Sequence, residues 1–183
     1  KPAVVTISVS SSPVAQTVVS GGKFTFANYQ LDATASGEDI KFTTIPLAFD
    51  TRGNTATNLT SCQLWDGATS LTTGSNSVNP SAAASSTTFT FDNSLKITKG
   101  TTKSLALSCN IIGGATGSYA WGYDSGSSPS ATGMTSSQSA TITENDSNGQ
   151  KMTLSSGGTL TVQEDSASSL SYRHVAANTT GNI

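Results

Sequence analysis

Two cysteines, one histidine and a thin scatter of carboxylates make up most of the reactive chemistry of this chain. Cys62 lies in Leu59-Thr60-Ser61-Cys62-Gln63-Leu64-Trp65, where Cys62 and Leu64 share one parity and Gln63 and Trp65 the other. Cys109 lies in Ser104–Ile112, where Leu105, Leu107, Cys109 and Ile111 alternate with smaller or more polar residues. A period of two is the signature of a strand with one face on a core. If each cysteine occupies the buried face of its own strand, a Cys62–Cys109 disulfide between packed strands is the economical reading, and two buried free thiols are the alternative. His174 stands beside Arg173 with no nucleophile elbow and no Cys–His arrangement, so it reads as a surface histidine. No pair of catalytic groups is visible, and the expectation is that the chain is not an enzyme.

Three further groupings could hold a ligand or a crosslink. Glu144-Asn145-Asp146-Ser147-Asn148-Gly149 imitates the first half of a calcium loop, with Glu144, Asp146 and Asn148 as candidate ligands. Its first position is Glu, and its twelfth is Ser155 instead of a bidentate carboxylate. A hairpin turn on Asn148-Gly149 fits the same residues better. Calcium could otherwise enter through Asp50 with Asn54, or Glu38 with Asp39, so no cofactor is expected beyond that ion. Tyr119, Trp121 and Tyr123 line one face of a strand, where they could stack on a sugar with Asp124 as polar contact, although core packing explains the alternation with fewer assumptions. Lys23 and Lys41 raise an isopeptide crosslink, with Glu38 or Glu144 as catalyst, against the commoner solvent-facing lysine. Asn58, Asn145 and Asn178 fit the glycosylation acceptor pattern, which is permissive in a chain this rich in Ser and Thr.

The composition narrows the setting. Only 11% of the 183 residues are charged, and the net charge is -2, against about 25% charged in ordinary globular chains. Nine basic residues scattered singly form no stripe for nucleic acid, which excludes that partner. No apolar run approaches the roughly 18 residues of a membrane span. A leader is absent from Lys1-Pro2-Ala3-Val4, so a signal peptide, if one existed, is expected to be gone. The low charge and the cysteine pair suit a secreted or cell-surface β protein.

The elements that must position these groups are short strands. Val4–Val9 opens as a strand, Ser10–Pro13 breaks it, and Val14–Val19 resumes. Lys23–Leu31 changes parity near Ala27-Asn28, and Ile40–Phe49 changes it near Thr43-Thr44, each predicting a bulge. Pro46 places the second of these near an edge. Leu59–Trp65 precedes a hairpin signal at Asp66-Gly67, and Gly74–Ser86 is too poor in apolar residues for core. Thr87–Phe91 and Leu95–Ile97 read as two strands, followed by the Cys109 strand, the aromatic strand and a Ser/Gly loop at Ser125–Ser137. Ala140 and Ile142 with Met152 and Leu154 read as one hairpin around Asn145–Gly149. Leu160–Val162 and Leu170–Val175 close the chain. No helix-length window shows a 3.6-residue period, so an all-β, antiparallel sandwich with almost no helix is expected. Val5-Thr6-Ile7, a Ser-rich break and an extended run to Gly22 are echoed by Leu160-Thr161-Val162, a break at Ser166–Ser169 and a run to Gly181, either a repeat or a coincidence of degenerate segments.

Four phrases together, Gly37–Thr43, Asn58–Gly67, Leu95–Leu107 and Leu160–Ser166, resemble modules of bacterial surface-layer and large cell-surface proteins. The resemblance is best over residues 23–112, and it implies immunoglobulin-like β-sandwiches strung in series with a structural or adhesive role. The cysteine pair and the region 113–158 depart from that pattern. Residues 1–158 are therefore expected to form a sandwich domain, and 159–183 a terminal strand segment that links to or completes a neighbouring module. The expected function is a self-assembling subunit of a surface layer or extracellular filament, joined to copies of itself through residues 1–19 or 159–183. The alternative is an adhesin or carbohydrate-binding module that meets a glycan at Tyr119–Asp124 and the Ser125–Ser137 loop.

Overall fold

The computed structural model describes residues 1–158. Twelve strands follow one another along the chain: β1 Val4–Val9, β2 Gln16–Val19, β3 Lys23–Asp32, β4 Ile40–Asp50, β5 Leu59–Asp66, β6 Thr69–Ser70, β7 Ala84–Ile97, β8 Thr102–Ile111, β9 Gly117–Gly122, β10 Ser130–Gly133, β11 Thr141–Glu144 and β12 Met152–Ser155. The helical content among the described residues is two three-residue 3₁₀ turns, Ala56–Asn58 and Gly74–Asn76. The described residues are all-β, as their alternation predicts.

The strands form two sheets. The first runs β11-β1-β3-β8-β5-β6. The second runs β2-β12-β9-β4, with β10 beside the start of β4 and β7 along its other side. One hydrophobic core draws on both: Ile7, Tyr29, Leu31 and Leu107 from the first sheet meet Phe42, Leu47, Phe89 and Trp121 from the second, all fully buried. The Tyr29 hydroxyl crosses the core and donates to the Gly122 carbonyl at 3.0 Å, satisfying a buried polar group that would otherwise cost stability.

Several expectations need correction. The sheets are mixed, because β1 pairs in parallel with β11 and β2 in parallel with β12. Thr141–Glu144 and Met152–Ser155 are therefore not a hairpin. They are the two halves of a segment that runs beside the N-terminal segment, and both change sheets together, the first at Ser10–Pro13 and the second at Asn145–Gly149. Alternation reports which face of a strand is apolar, not which strand lies next to it.

Pro46 sits in an interior strand. β10 registers with β4 only up to Thr44 and β9 only from Ala48, so residues 45–47 have β7 on one side and no registered partner on the other. A residue without an N–H is tolerated in such a gap. The predicted bulge in β4 falls at Thr43, while that in β3 falls at Phe26, one position before the expected site. Thr87–Phe91 and Leu95–Ile97 belong to one long strand, bent by an irregularity opposite Thr43. Residues 159–183, with the echo they carry and with His174 and Asn178, lie outside the described residues.

Candidate interaction edges and the groups around them

The cysteines do form a disulfide, with an S–S distance of 2.06 Å. Both residues are fully buried, yet they stand on neighbouring strands of the same sheet, β5 and β8, and do not bridge the two sheets. The local sequence explains how the sulfurs meet. Ser61 adopts φ 48°, left-handed for a non-glycine residue, and breaks the β5–β8 register between Thr60 and Gln63. The irregularity turns the Cys62 backbone toward Val78, with which it exchanges two hydrogen bonds of 2.8 and 2.9 Å, while Asn79 Oδ1 accepts from the Ser61 N–H at 2.7 Å. Residues 78–79, expected to be mere surface, hold this bulge.

Tyr119, Trp121 and Tyr123 are 0, 0 and 1% exposed. Trp121 stacks on Phe49 with ring centroids 4.5 Å apart and meets Phe89 edge-on. Tyr119 accepts from the Asn58 amide at 2.8 Å and donates to the Thr55 carbonyl at 2.8 Å. Tyr123 donates to Glu144 Oε1 at 2.5 Å, and burial, reinforced by that bond, pushes its phenol up. None of the three rings offers a face to solvent, so they cannot be a sugar-stacking platform. They are core, with both tyrosine hydroxyls satisfied and the Trp121 indole N–H buried without a hydrogen-bond partner among the described residues.

The calcium candidates have protein partners of their own or lie in the turn. Glu144 faces Tyr123, and Asp146 Oδ1 accepts from the Ser125 N–H at 2.6 Å. Asn148 lies on the sheet-crossing segment, where Gly149 at φ 69° lies against the backbone of Trp121 so closely that a Cβ would overlap its carbonyl oxygen. Asp50 bonds the Arg52 N–H at 2.7 Å, and Asn54 donates to the Thr51 carbonyl at 2.9 Å. Among the described residues no three His, Cys, Asp or Glu side chains are placed to share a metal. The Lys23 ammonium lies 3.3 Å from the centroid of Trp65 on the outer face of the first sheet, and Lys41 is exposed on β4. Of the sequons, Asn58 has its amide committed to Tyr119, while Asn145 is exposed.

Two carboxylates that the sequence did not single out as fasteners act as such. Glu38, 7% exposed, accepts from the Thr135 N–H at 2.6 Å, the Ser136 N–H at 2.8 Å and the Ser136 hydroxyl at 2.7 Å. The Ser136 hydroxyl and then its N–H hold the Glu38 carboxyl below the usual range. Neighbouring Asp39 pairs with Lys96 at 2.7 Å and is lowered chiefly by it. Asp92 accepts from Thr73 and Asn76, and its N–H donates to the Leu71 carbonyl at 2.9 Å. This clasp ties the end of the first sheet to β7 and lowers the Asp92 carboxyl, the Thr73 hydroxyl contributing most.

What remains open is backbone at the sheet edges. Residues 4–9 are not free to link copies, since β1 is flanked by β3 and β11. β2 is an outer strand of the second sheet, pairing among the described residues with β12 alone, and Val14 beside it and Val19 within it are each 65% exposed. β7, at the other border of that sheet, pairs among the described residues with β4 alone. Neither β2 nor the Ala84–Phe91 part of β7 carries the charges that usually shield a free strand: Pro2–Gly22 and Gly67–Phe91 contain no Lys, Arg, Asp, Glu or His, and the charges of β7, Asp92 and Lys96, lie beyond that stretch. No protein-family model, curated protein or solved structure matches the chain.

Proposed function

We propose that the chain is a non-catalytic building block of an extracellular layer or filament, an immunoglobulin-like β-sandwich that joins copies of itself through strands at its termini. The observation that supports this reading is the pair of borders on the second sheet, β2 and Ala84–Phe91 of β7, that are uncharged and, among the described residues, have no outer partner. A free edge presents a row of N–H and C=O groups that a further strand can complete, and a subunit meant to stay alone shields it with charge, proline or a covering loop. The two-sheet core supports the sandwich comparison, although the disulfide departs from the immunoglobulin pattern by lying within one sheet. That disulfide and the low-charge surface favour an oxidising, extracellular setting.

Sedimentation velocity of the full chain from dilute to high concentration tests the reading. Growth into dimers and longer species is expected. A single monomeric boundary at every concentration would overturn it.

A further inference from the structure

We infer that the free edge of β7, centred on Thr87–Phe91, receives the segment Leu160–Gln163 of a neighbouring copy, so that copies add head to tail. This rests on the self-assembly reading and names its two surfaces. Thr87–Thr90 register with Leu47–Thr44 without interruption and face no other strand among the described residues. The open edge ends at Asp92, where Leu71, Thr73 and Asn76 cover the strand. Phe89 and Phe91 point into the core and are buried, while Thr88 and Thr90 are exposed.

The incoming segment, Thr159-Leu160-Thr161-Val162-Gln163, is uncharged and alternates in the same way. Leu160 and Val162 would extend the apolar face begun by Phe89 and Phe91, and the backbone would complete the ladder.

Geometry selects a neighbour over the chain's own tail. Gly157 lies against Val19, a Cβ there standing 3.3 Å from Val19 Cγ1, so the last described residues lie at the β2 border. β7 lies across β12, β9 and β4 at the opposite border, four strand spacings or about 19 Å away. Leu160, three residues after Gly157, reaches at most about 11 Å. A donor at one border and an acceptor at the other make a heterologous contact, which propagates instead of closing into a pair.

The test uses full-length chains. Thr88→Lys with Thr90→Lys places charge along the acceptor edge at exposed positions, and Val162→Lys spoils the donor. Each variant alone is expected to raise the concentration for half-association at least tenfold, with an unchanged melting profile. Mixed together, they should form a one-to-one dimer and nothing longer, because one retains a donor and the other an acceptor. As an independent check, a short thiol crosslinker should join Thr88→Cys chains to Thr161→Cys chains as a heterodimer, since both positions fall on the outward face of the ladder. Association of the Thr88→Lys, Thr90→Lys variant at the wild-type concentration, or no heterodimer in either mixture, would overturn the edge assignment and leave the function standing. A wild-type chain that never associates would overturn both.

Discussion

Cys62 and Cys109 face each other from adjacent strands of a single sheet, with their Cα atoms 4.0 Å apart. The bond lies 47 residues apart in sequence and fixes β5 against β8 where the Ser61 irregularity has removed the ladder. In the loop-entropy model a closure of that length constrains the unfolded chain by about 4 kcal/mol. Replacing both cysteines by alanine should lower the unfolding free energy by up to that amount, read from a urea midpoint under non-reducing conditions. A change below about 1 kcal/mol would show that the neighbouring hydrogen bonds hold the bulge unaided.

The two tryptophans should respond in opposite ways. Trp121→Ala removes a fully buried ring from between Phe49 and Phe89 and should cost about 3–5 kcal/mol. Trp65→Ala removes a half-buried ring on the outer face, together with a cation–π contact worth about 0.5–1 kcal/mol, and should cost far less. Acrylamide quenching of each single-tryptophan protein checks the burial directly, with Trp121 shielded and Trp65 accessible.

Acid should loosen the Glu38 clasp. Its carboxyl titrates below the ordinary value because Ser136 and Thr135 donate to the charged form. A depressed folded value means that the stabilisation is complete above the unfolded glutamate value of about 4.3 and is lost as pH falls through the folded one. Denaturation midpoints should therefore be flat above about pH 5–6 and fall below it. Glu38→Gln should be less stable at neutral pH and show a shallower acid dependence. Identical acid profiles for the two proteins would refute the assignment.

Glycine substitutions separate close approach from backbone conformation. Gly149 and Gly53 both have positive φ, 69° and 81°, but only Gly149 has backbone where a Cβ would go. Gly53→Ala should cost about 1–2 kcal/mol of left-handed strain. Gly149→Ala should cost clearly more, because the sheet-crossing segment must move off β9. Equal melting temperatures for the two variants would contradict that packing.

How much of this was legible beforehand depends on what alternation encodes. The faces of β3, β4, β5 and β8 could be read from apolar residues two apart, and the cysteines shared a face because both sat in such runs. Partnership could not be read. Ile142 and Leu154 have the same pattern whether they form a hairpin or enter different sheets, so the parallel pairing of the two ends was invisible. The aromatic strand fitted both core and binding surface, since spacing says nothing about which side faces solvent. Glu38 and Asp92 each stand among turn residues, and their role depends on donors 97 and 19 positions away.

The central claim, that copies join by adding a strand to β7, is tested most directly by amide hydrogen exchange of the full chain at two concentrations. Where the chain associates, those amides of Thr87–Phe91 that point away from β4 should exchange much more slowly than in dilute solution, while interior β4 amides stay unchanged. Equal exchange of Thr87–Phe91 in assembled and dilute protein would contradict the account.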